Sequence, residues 1–421
     1  MFTRREFLSS STAALVATQL PAPIGSLSSM RSQATPITND ERRARIEKAR
    51  RLMTEHKIDA IMLTQGSSLV YFTNIRWGGG ERLTACLIPA KGEPFFVCPA
   101  FEEDRAREQI ALGPFGGGKA DVRTWNEDES PYELVANGLR DRGVSTGSLG
   151  IEETTKFVWS DSVAKAAPQL RLIGATPVVS GCRMIKETHE IALMRLAAQV
   201  TLKAYEAVYR SIKPGMTQTT VSDLIEQAHT RLGFAGGASV QVGEYTALPH
   251  GSIQPQTIRE GTIIMIDGGC SVEGYASDIT RTFVLGAPAD KMKKLFDIVK
   301  QAQTATLKMA RPGVPLEALD AAARKVIIDA GYGPGFKYFS HRVGHGQGMD
   351  GHEWPYLVRN NMFGWEKALP LQPHMTFSDE PGIYIRGEFG VRLEDTLHIT
   401  DNGAELFTPQ SESLEQPFRF K

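Results

Sequence analysis

The sequence predicts two domains, an α/β domain of roughly 100–150 residues and then an α+β domain built from two related halves. Three observations carry that prediction. Short apolar runs alternate with helical patterns between Thr38 and Ala175. A pair of helix-ending signals, Lys213-Pro214-Gly215-Met216 and then Gly233-Phe234, returns as Arg311-Pro312-Gly313-Val314 and then Gly331-Tyr332. Each of these helix pairs precedes a stretch with paired acids: Asp267 and Asp278 in the first half, Glu380 and Glu394 in the second. Weak internal repetition in a fixed order is the mark of a duplicated unit. A chain of 421 residues is also long for one domain.

Residues 1–30 read as a leader outside the fold. Thr3-Arg4-Arg5-Glu6-Phe7-Leu8 precedes a mildly apolar run through Ala13, Ala14, Leu15, Val16 and Ala17, then small residues and prolines. That order predicts a twin-arginine export signal, cleavage between Ala22 and Met30, and a periplasmic or secreted protein. A near-neutral formal charge of -1 gives no case for nucleic acid. No apolar stretch is long enough to span a membrane.

The first domain is expected over residues 38–175. Thr38 and Glu41 form a capping box that opens a helix with Ile46, Ala49, Leu52 and Met53 on one face. Strands are predicted near Ala60–Leu63, Val70–Thr73, Thr84–Ile88, Phe95–Cys98, Leu149–Glu152 and Leu170–Ile173, and helices near Glu102–Ile110 and Pro131–Arg140. Gly174 to Cys182, with Pro177 and Gly181, reads as a linker. None of Cys86, Cys98, Cys182 and Cys270 forms a Cys-x-x-Cys pair, so a zinc knuckle is not expected. Cys86 and Cys98 fall on strands joined by a turn and are placed to face each other, but buried free thiols are the better reading in a chain with ample core.

The second domain is expected over residues 183–405. Helices run from about Glu187 to Ser211, Thr217 to Leu232 and Ala289 to Ala310, with a fourth ending at Gly331. Between the pairs lies Ile263 to Phe283. An apolar, β-branched run ends in Asp267, glycines follow, and a second run alternates Asp278, Thr280 and Thr282 with Ile279, Arg281 and Phe283. That is a β-hairpin pattern, which sets two carboxylates on neighbouring strands. Like charges so close need a proton or a cation between them. Asp267 ends a run too apolar to be exposed, which favours a metal site over a solvated turn.

The second half adds His341-Arg342-Val343-Gly344-His345-Gly346-Gln347-Gly348 and His352-Glu353-Trp354-Pro355. A lone histidine is more often structural, but three close together among glycines, which let backbone approach a ligand, point to a site. Glycine and proline exclude the helical His-Glu-x-x-His zinc pattern. The last hairpin contains Glu380-Pro381-Gly382 and Arg392-Leu393-Glu394-Asp395. Pro381 requires an edge or bulge, an irregular position that can aim Glu380 inward.

Asp267, Asp278, His345, Glu380 and Glu394, in that order and with Gly-His-Gly-x-Gly, Glu-Pro-Gly and Arg-Leu-Glu-Asp around them, resemble the metallopeptidase family of methionine aminopeptidase, aminopeptidase P and prolidase. The resemblance covers about Lys186 to Thr400. It implies the pita-bread, or creatinase-like, fold in two pseudo-symmetric halves. The first domain resembles the creatinase N-terminal domain of the Xaa-Pro branch, which methionine aminopeptidases lack. The implied activity is hydrolysis of the bond between an N-terminal residue and a following proline, by an aminopeptidase or a dipeptidase acting through a metal-bridging water. Two divalent metal ions are implied, with Asp267 on one ion, Asp278 and Glu394 bridging, and His345 and Glu380 completing the second. An oxygen-rich set suits Mn²⁺, with Co²⁺ or Zn²⁺ as alternatives. Glu380 matches the proton acceptor. His250 matches the histidine near the scissile nitrogen and His352 the one steadying the tetrahedral intermediate. His341 and Arg392 match secondary cleft residues. Small peptides are the expected partners, and a homodimer the expected assembly.

There are departures. Asp379 stands where an apolar or amide residue is usual, and should face away from Glu380. Some prolidases carry an arginine directly after His-Glu-x-Pro that grips the dipeptide carboxylate; here that position is Tyr356. Arg359 or Arg386 is left to substitute. If Arg359 does not reach the cleft, longer peptides should be cleaved at least as well as dipeptides; if it does, dipeptides should win. Its segment, with Asn360, Asn361 and Gly364, reads as a loop, which favours the first case. A metal-dependent lyase or non-peptide amidase on the same fold is the alternative chemistry. A metal-free creatinase-type amidinohydrolase and a non-catalytic peptide-binding module both rank lower, because such relatives have lost the ligand set that is intact here.

Overall fold

Before either domain begins, the chain packs a short strap. The computed structural model describes residues 20–116, 120–359 and 369–418. Helix α1 (Ala22–Gly25) buries Ile24, and Met30 and Ile37 follow it into the core of the second domain's first half. The Met30 amide donates to the Leu232 carbonyl at 2.9 Å, and Arg231 Nη2 donates to the Gly25 carbonyl at 2.8 Å. Of the leader expected over 1–30, residues 1–19 lie outside the described residues. From Leu20 on the chain belongs to the fold, and a cut late in the expected window would remove Ile24.

The first domain is a six-stranded mixed sheet between helices. Its elements are α2 (Asn39–His56), β1 (Ala60–Thr64), α3 (Ser67–Thr73), β2 (Ala85–Pro89), β3 (Phe95–Pro99), α4 (Glu103–Leu112), β4 (Asp121–Trp125), α5 (Pro131–Arg140), β5 (Gly147–Ile151), α6 (Phe157–Ala166), β6 (Leu170–Gly174) and α7 (Thr176–Met184). The strand order is β4-β3-β2-β1-β5-β6. β1 is apolar on both faces because both are covered: Ile61 and Leu63 pack with residues of α2, α3 and α7, while Ala60 and Met62 pack with those of α5 and α6. The Thr38–Glu41 capping box is formed. Cys86 pairs in register with Phe96, not Cys98, and all four cysteines are buried and unbridged.

Two expectations here are corrected. Val70–Thr73 is helical, within α3, although β-branched and aromatic residues favour strands; Leu69, Tyr71 and Phe72 are buried against α2 and the sheet, and tertiary packing overrides propensity. The expected linker is helix α7. Pro177 lies in its first turn, where a missing N–H does no harm. A Cβ on Gly181 would sit 3.3 Å from Leu52 Cδ1, so the glycine lets α7 lie close on α2.

The second domain shows its duplication. The first half has α8 (Thr188–Tyr209), α9 (Gln218–Leu232), β7 (Gly236–Val242), β8 (Ile263–Val272), β9 (Tyr275–Ala276) and β10 (Ile279–Val284). The second has α10 (Asp290–Met309), α11 (Leu316–Asp329), β11 (His345–Gly346), β12 (Glu353–Tyr356), β13 (Thr376–Asp379), β14 (Gly382–Ile385), β15 (Phe389–Arg392), β16 (Asp395–Ile399) and β17 (Ala404–Leu406). The sheets run β10-β8-β7, with β9 on β8, and β12-β11-β13-β16-β17, beside a β14–β15 hairpin. Each helix pair backs its own sheet with its own core. The halves are stitched where Glu394 N–H donates to the Thr280 carbonyl at 3.2 Å and Thr282 Oγ1 donates to the Arg392 carbonyl at 2.7 Å. That seam brings the two acid-bearing stretches together. No helix among the described residues is long and apolar enough to cross a membrane.

Candidate metal centre

Asp267 sits midway along β8, paired in register with Thr280 of β10 and Ser239 of β7. The turn expected directly after Asp267 is not there. β8 runs on to Val272, and the chain reverses at Glu273-Gly274, both at positive φ. Asp278 falls between β9 and β10, so it reaches Asp267 diagonally and not as its cross-strand partner. Gly269 permits this. A Cβ there would lie 1.9 Å from the Ser277 carbonyl oxygen, so only glycine lets the strands close just before Asp278.

In the second half, Asp379 and Asp395 are register partners. Glu380 follows one and Glu394 precedes the other, which places both glutamates at the same end of the β13–β16 ladder. β13 ends at Asp379, and Pro381, which has no amide to give a ladder, lies between it and β14. Asp379 is buried, and its backbone carbonyl accepts from Gln303 of α10 at 3.3 Å. Its carboxyl is raised well above the usual range by burial, with Thr306 opposing and Asp395 and Glu380 adding to the rise.

The two hairpins and β11 converge. Donor atoms of Asp267, Asp278 and Glu394 lie within 4.8 Å of one another; so do those of His345, Glu380 and Glu394, and those of Asp278, His345 and His352. The groups overlap through Glu394, Asp278 and His345, which suits two neighbouring cations. His345 Nδ1 is 3.2 Å from the Gly346 carbonyl, which can only accept, so Nδ1 carries the proton. Its Nε2 lies 3.2 Å from Glu380 Oε1. A neutral ring would oppose two acceptors there, so a proton or a cation belongs between them. Thr280 Oγ1 is 2.7 Å from both Asp267 Oδ1 and Glu394 Oε2, and Arg392 Nε donates to it at 3.1 Å. Glu394 Oε1 is buried with no partner among the described residues. An orphaned, buried carboxylate oxygen in an oxygen-rich cradle is what a hard divalent cation would satisfy, and the residues fit the metals that the sequence implies.

The electrostatics agree. Asp278 is pushed up to about 7, by burial first and then by Asp267. Glu394 is raised well above the carboxylate range by burial, Asp278, Glu380 and Asp267. Burial works against ionised Glu380 too, but its hydrogen bond with His345 and the charges of His345, His341 and Arg392 draw it down to about 2. The His345 ring is raised, because Glu380 and Asp278 outweigh the burial that opposes its charge.

Around the cradle, His352 is stacked on His345, ring centres 3.5 Å apart, and is lowered to about 4 by burial and then by His345. His341 Nε2 is 2.7 Å from Tyr384 Oη, Arg392 Nη1 donates to the same oxygen at 3.0 Å, and Arg392 Nη2 donates to Asp267 Oδ2 at 2.7 Å. His250 is exposed, and its charge bears on both His341 and His352. Tyr356 stands off the cradle, in register with His345 on β12, its ring beneath the Arg342 guanidinium. With His352 it lines an interdomain cavity of about 480 Å³ that also touches Ser67, Glu152, Arg183 and Asp350. Arg359 and Arg386 are exposed in turns; Asn360, Asn361 and Gly364 lie outside the described residues.

Sequence reasoning assigned no role to Thr280, Tyr384 or Arg342. It also missed a belt at the domain boundary, in which Arg183 pairs with half-exposed Asp350 and buried Glu353 while buried Lys186 pairs with Glu353 at 2.8 Å. Tyr384 and Thr280 do stand inside the acid-bearing motifs, and that adjacency was the signal available.

Known families match both domains. Metallopeptidase family M24 matches residues 192–401, and the creatinase/prolidase N-terminal domain matches residues 45–185. The chain is 36% identical over 347 residues to the probable dipeptidase PepE of Mycobacterium tuberculosis, covering 82% of this chain and 88% of that protein. It is 30% identical over 376 residues to the Xaa-Pro dipeptidase of Lactobacillus helveticus, covering 88% and 98%. The crystal structure of dipeptidase PepE from Mycobacterium ulcerans superposes with a TM-score of 0.83 at 32% identity, covering 90% of this chain and 99% of that one.

Proposed function

The chain belongs to metallopeptidase family M24, and from that premise we propose that it hydrolyses the bond between an N-terminal residue and a following proline. The observation that carries the reading is the pair of overlapping donor groups sharing Glu394, whose Oε1 has no partner among the described residues. The names of the relatives, dipeptidase and Xaa-Pro dipeptidase, support the substrate class.

Asp267 would hold one ion, His345 and Glu380 the other, with Asp278 and Glu394 serving both; an oxygen-rich set favours Mn²⁺. Bound there, two divalent ions supply Lewis acidity at the scissile carbonyl and make a water acidic enough to attack it at neutral pH. The chain's own residues do the rest. Glu380, kept ionised by His345, accepts a proton on a carboxylate oxygen. His352, neutral above about pH 4, presents an N–H to the peptide oxygen beside the stacked His345 ring. His250 faces the leaving nitrogen from its exposed loop. The His341–Tyr384–Arg392 chain fixes Arg392 against Asp267 and closes the back of the cleft. Export directed by Arg4-Arg5 to the periplasm, and assembly as a homodimer, belong to the same reading and rest on the sequence.

The test is a metal assay of purified protein followed by rates on Xaa-Pro dipeptides, longer Xaa-Pro peptides and matched peptides with alanine second. Near two metal ions per chain and a strong proline preference are expected. Asp278→Ala or Glu394→Ala should remove most of the metal and all activity, since each ligand would serve both ions. Normal metal content and full rate in either variant would sink the two-ion reading.

A further inference from the structure

We infer that Arg45 of the first domain is a positioning residue for Asp278, acting through the Tyr275 side chain, so that the second domain holds its metal ions at full strength only with the first domain docked on it. The inference rests on the metal reading above.

Asp278 is the donor that most needs such support. Thr280 and Arg392 hold Asp267, Thr280 also holds Glu394, Ser378 holds Glu380, and the Gly346 carbonyl orients His345. The Asp278 carboxylate makes no hydrogen bond among the described residues. Its aim is therefore set by the backbone that delivers it. That backbone is β9, two residues long, which pairs Tyr275 with Val272 and Ala276 with Ser271. So short a strand is marginal by itself, and anchors outside the ladder hold it. Ser277 Oγ lies 2.8 Å from Thr201 Oγ1 of α8, and the Ser277 amide donates to the Cys270 carbonyl at 3.0 Å. The Ala276 amide donates to the Gly348 carbonyl at 2.7 Å. Those anchors belong to the second domain. The one on Tyr275 does not.

Arg45, Tyr275 and Glu190 are each 1% exposed. Arg45 Nη2, from α2, donates to Tyr275 Oη at 3.0 Å, and that hydroxyl donates to Glu190 Oε1 at 2.9 Å. The phenol thus uses both its proton and a lone pair, and its position is fixed from two sides. Arg45 is itself held by its own domain. Its Nη1 donates to the Tyr71 carbonyl at 3.2 Å, and its guanidinium carbon lies 4.1 Å from the centre of the Tyr71 ring. The plane of the fork is set in the first domain, and its far nitrogen is offered to the second. Glu190 Oε2 meanwhile accepts from the Glu187 amide at 2.8 Å, in the box that caps α8. One line of contacts runs from α3 through Arg45 to Tyr275, three residues before Asp278.

Stability alone does not call for this arrangement. Desolvating a buried ion pair costs so much that apolar side chains of similar volume hold a boundary as well. What a rigid fork between fixed acceptors adds is a single geometry. Here that geometry is the placement of the strand that leads to Asp278.

The experiment strips the full chain of metal with a chelator, titrates it with Mn²⁺ in a calorimeter, and then measures hydrolysis of a Xaa-Pro dipeptide at saturating Mn²⁺. Tyr275→Phe removes one hydroxyl and keeps the ring. It should weaken Mn²⁺ binding about tenfold, as for one hydrogen bond to a charged group. Arg45→Met should weaken it about ten- to hundredfold, and Arg45→Lys, which keeps the charge without the fork, should fall between Arg45→Met and the unaltered chain. The two residues act along one path, so the double variant Arg45→Met/Tyr275→Phe should bind Mn²⁺ about as Arg45→Met does. The dipeptide KM at saturating Mn²⁺ should not move, since both side chains are buried away from the substrate. Leu149→Ala, in the core on the opposite face of the first domain's sheet, is the control; it should lower Tm and leave Mn²⁺ affinity unchanged. Tyr275→Phe decides the matter if Arg45→Met folds poorly. Unchanged Mn²⁺ affinity in Tyr275→Phe, an equal loss in Leu149→Ala, or additive losses in the double variant would each overturn the assignment. If the unaltered chain binds none of Mn²⁺, Co²⁺ and Zn²⁺, the metal reading fails and takes this one with it. If it binds metal and the variants bind it equally well, this inference alone fails.

Discussion

Thr280 has one hydroxyl proton and two carboxylates within 2.7 Å. It can donate to one of them, which leaves a crowded set of acids, Asp278 among them, to be balanced by a proton or a cation, and that balance is measurable as a pH effect. In the metal-free protein burial and the neighbouring Asp267 push Asp278 up to about 7, from an ordinary 3.8. Between those values the folded chain holds a proton that the unfolded chain has released, so stability from this group is lost as pH rises through the window. Glu380 runs the other way, at about 2, and its contribution is complete above the ordinary glutamate range. His352, lowered to about 4, gains stability over part of the same window and masks the effect in a simple melt. The increment in Tm on adding Mn²⁺ separates this from His352, because metal requires Asp278 and Glu394, both raised, without their protons. That increment should grow between about pH 5 and pH 7, with apparent metal affinity falling about ten- to hundredfold per unit below 7, a factor of ten for each proton that metal displaces. A pH-independent increment would show that Asp278 does not compete with the metal for a proton.

At the scale of elements, the β8–β10 hairpin carries two of the five donors, and Gly269 sets its closure. Gly269→Ala would drive a Cβ into the Ser277 carbonyl. Overpacking of this kind costs about 1–3 kcal/mol, and here it should also displace Asp278. The expected result is a lower Tm with a disproportionate loss of bound metal, read by melting and by metal analysis; a variant that melts low yet keeps its metal would show that the strand closes elsewhere. The hairpin also marks where sequence reasoning worked. Ile263 to Ile266 announces a buried strand, and the four long helices of the second domain were legible because proline and glycine punctuate them. The five acidic and histidine residues that the fold brings together were legible because they sit in short motifs. The α7 helix was not: Pro177 and Gly181 look like breakers unless one knows that the first falls in the opening turn and the second faces Leu52. Neither Arg342 over Tyr356 nor Thr280 between two acids leaves a local trace, since both are contacts across strands.

At the scale of the molecule, both ends of the described chain seal the first half of the catalytic domain. Ile24 and Met30 enter its core from one end, and Phe418 packs on Tyr209 and Phe283 from the other. If Arg4-Arg5 direct export, replacing both with lysine should hold the protein in the cytoplasm, and sequencing of the exported form should find an N-terminus before Ile24. A mature chain starting after Met30 would give up two core residues, each worth roughly 2–5 kcal/mol when truncated; finding it intact and stable would contradict the strap. The belt of Arg183, Lys186, Asp350 and Glu353 has a different reach. It fastens the end of a domain that holds none of the five donors to the segment bearing His352, and Arg183 and Glu353 are shielded from water. A chimera that joins this catalytic half to a foreign N-terminal half at the loop after Met184 would strand two acids without their arginine. The natural seam for domain exchange therefore lies before Thr176, and any graft has to carry α7 with the domain that follows it.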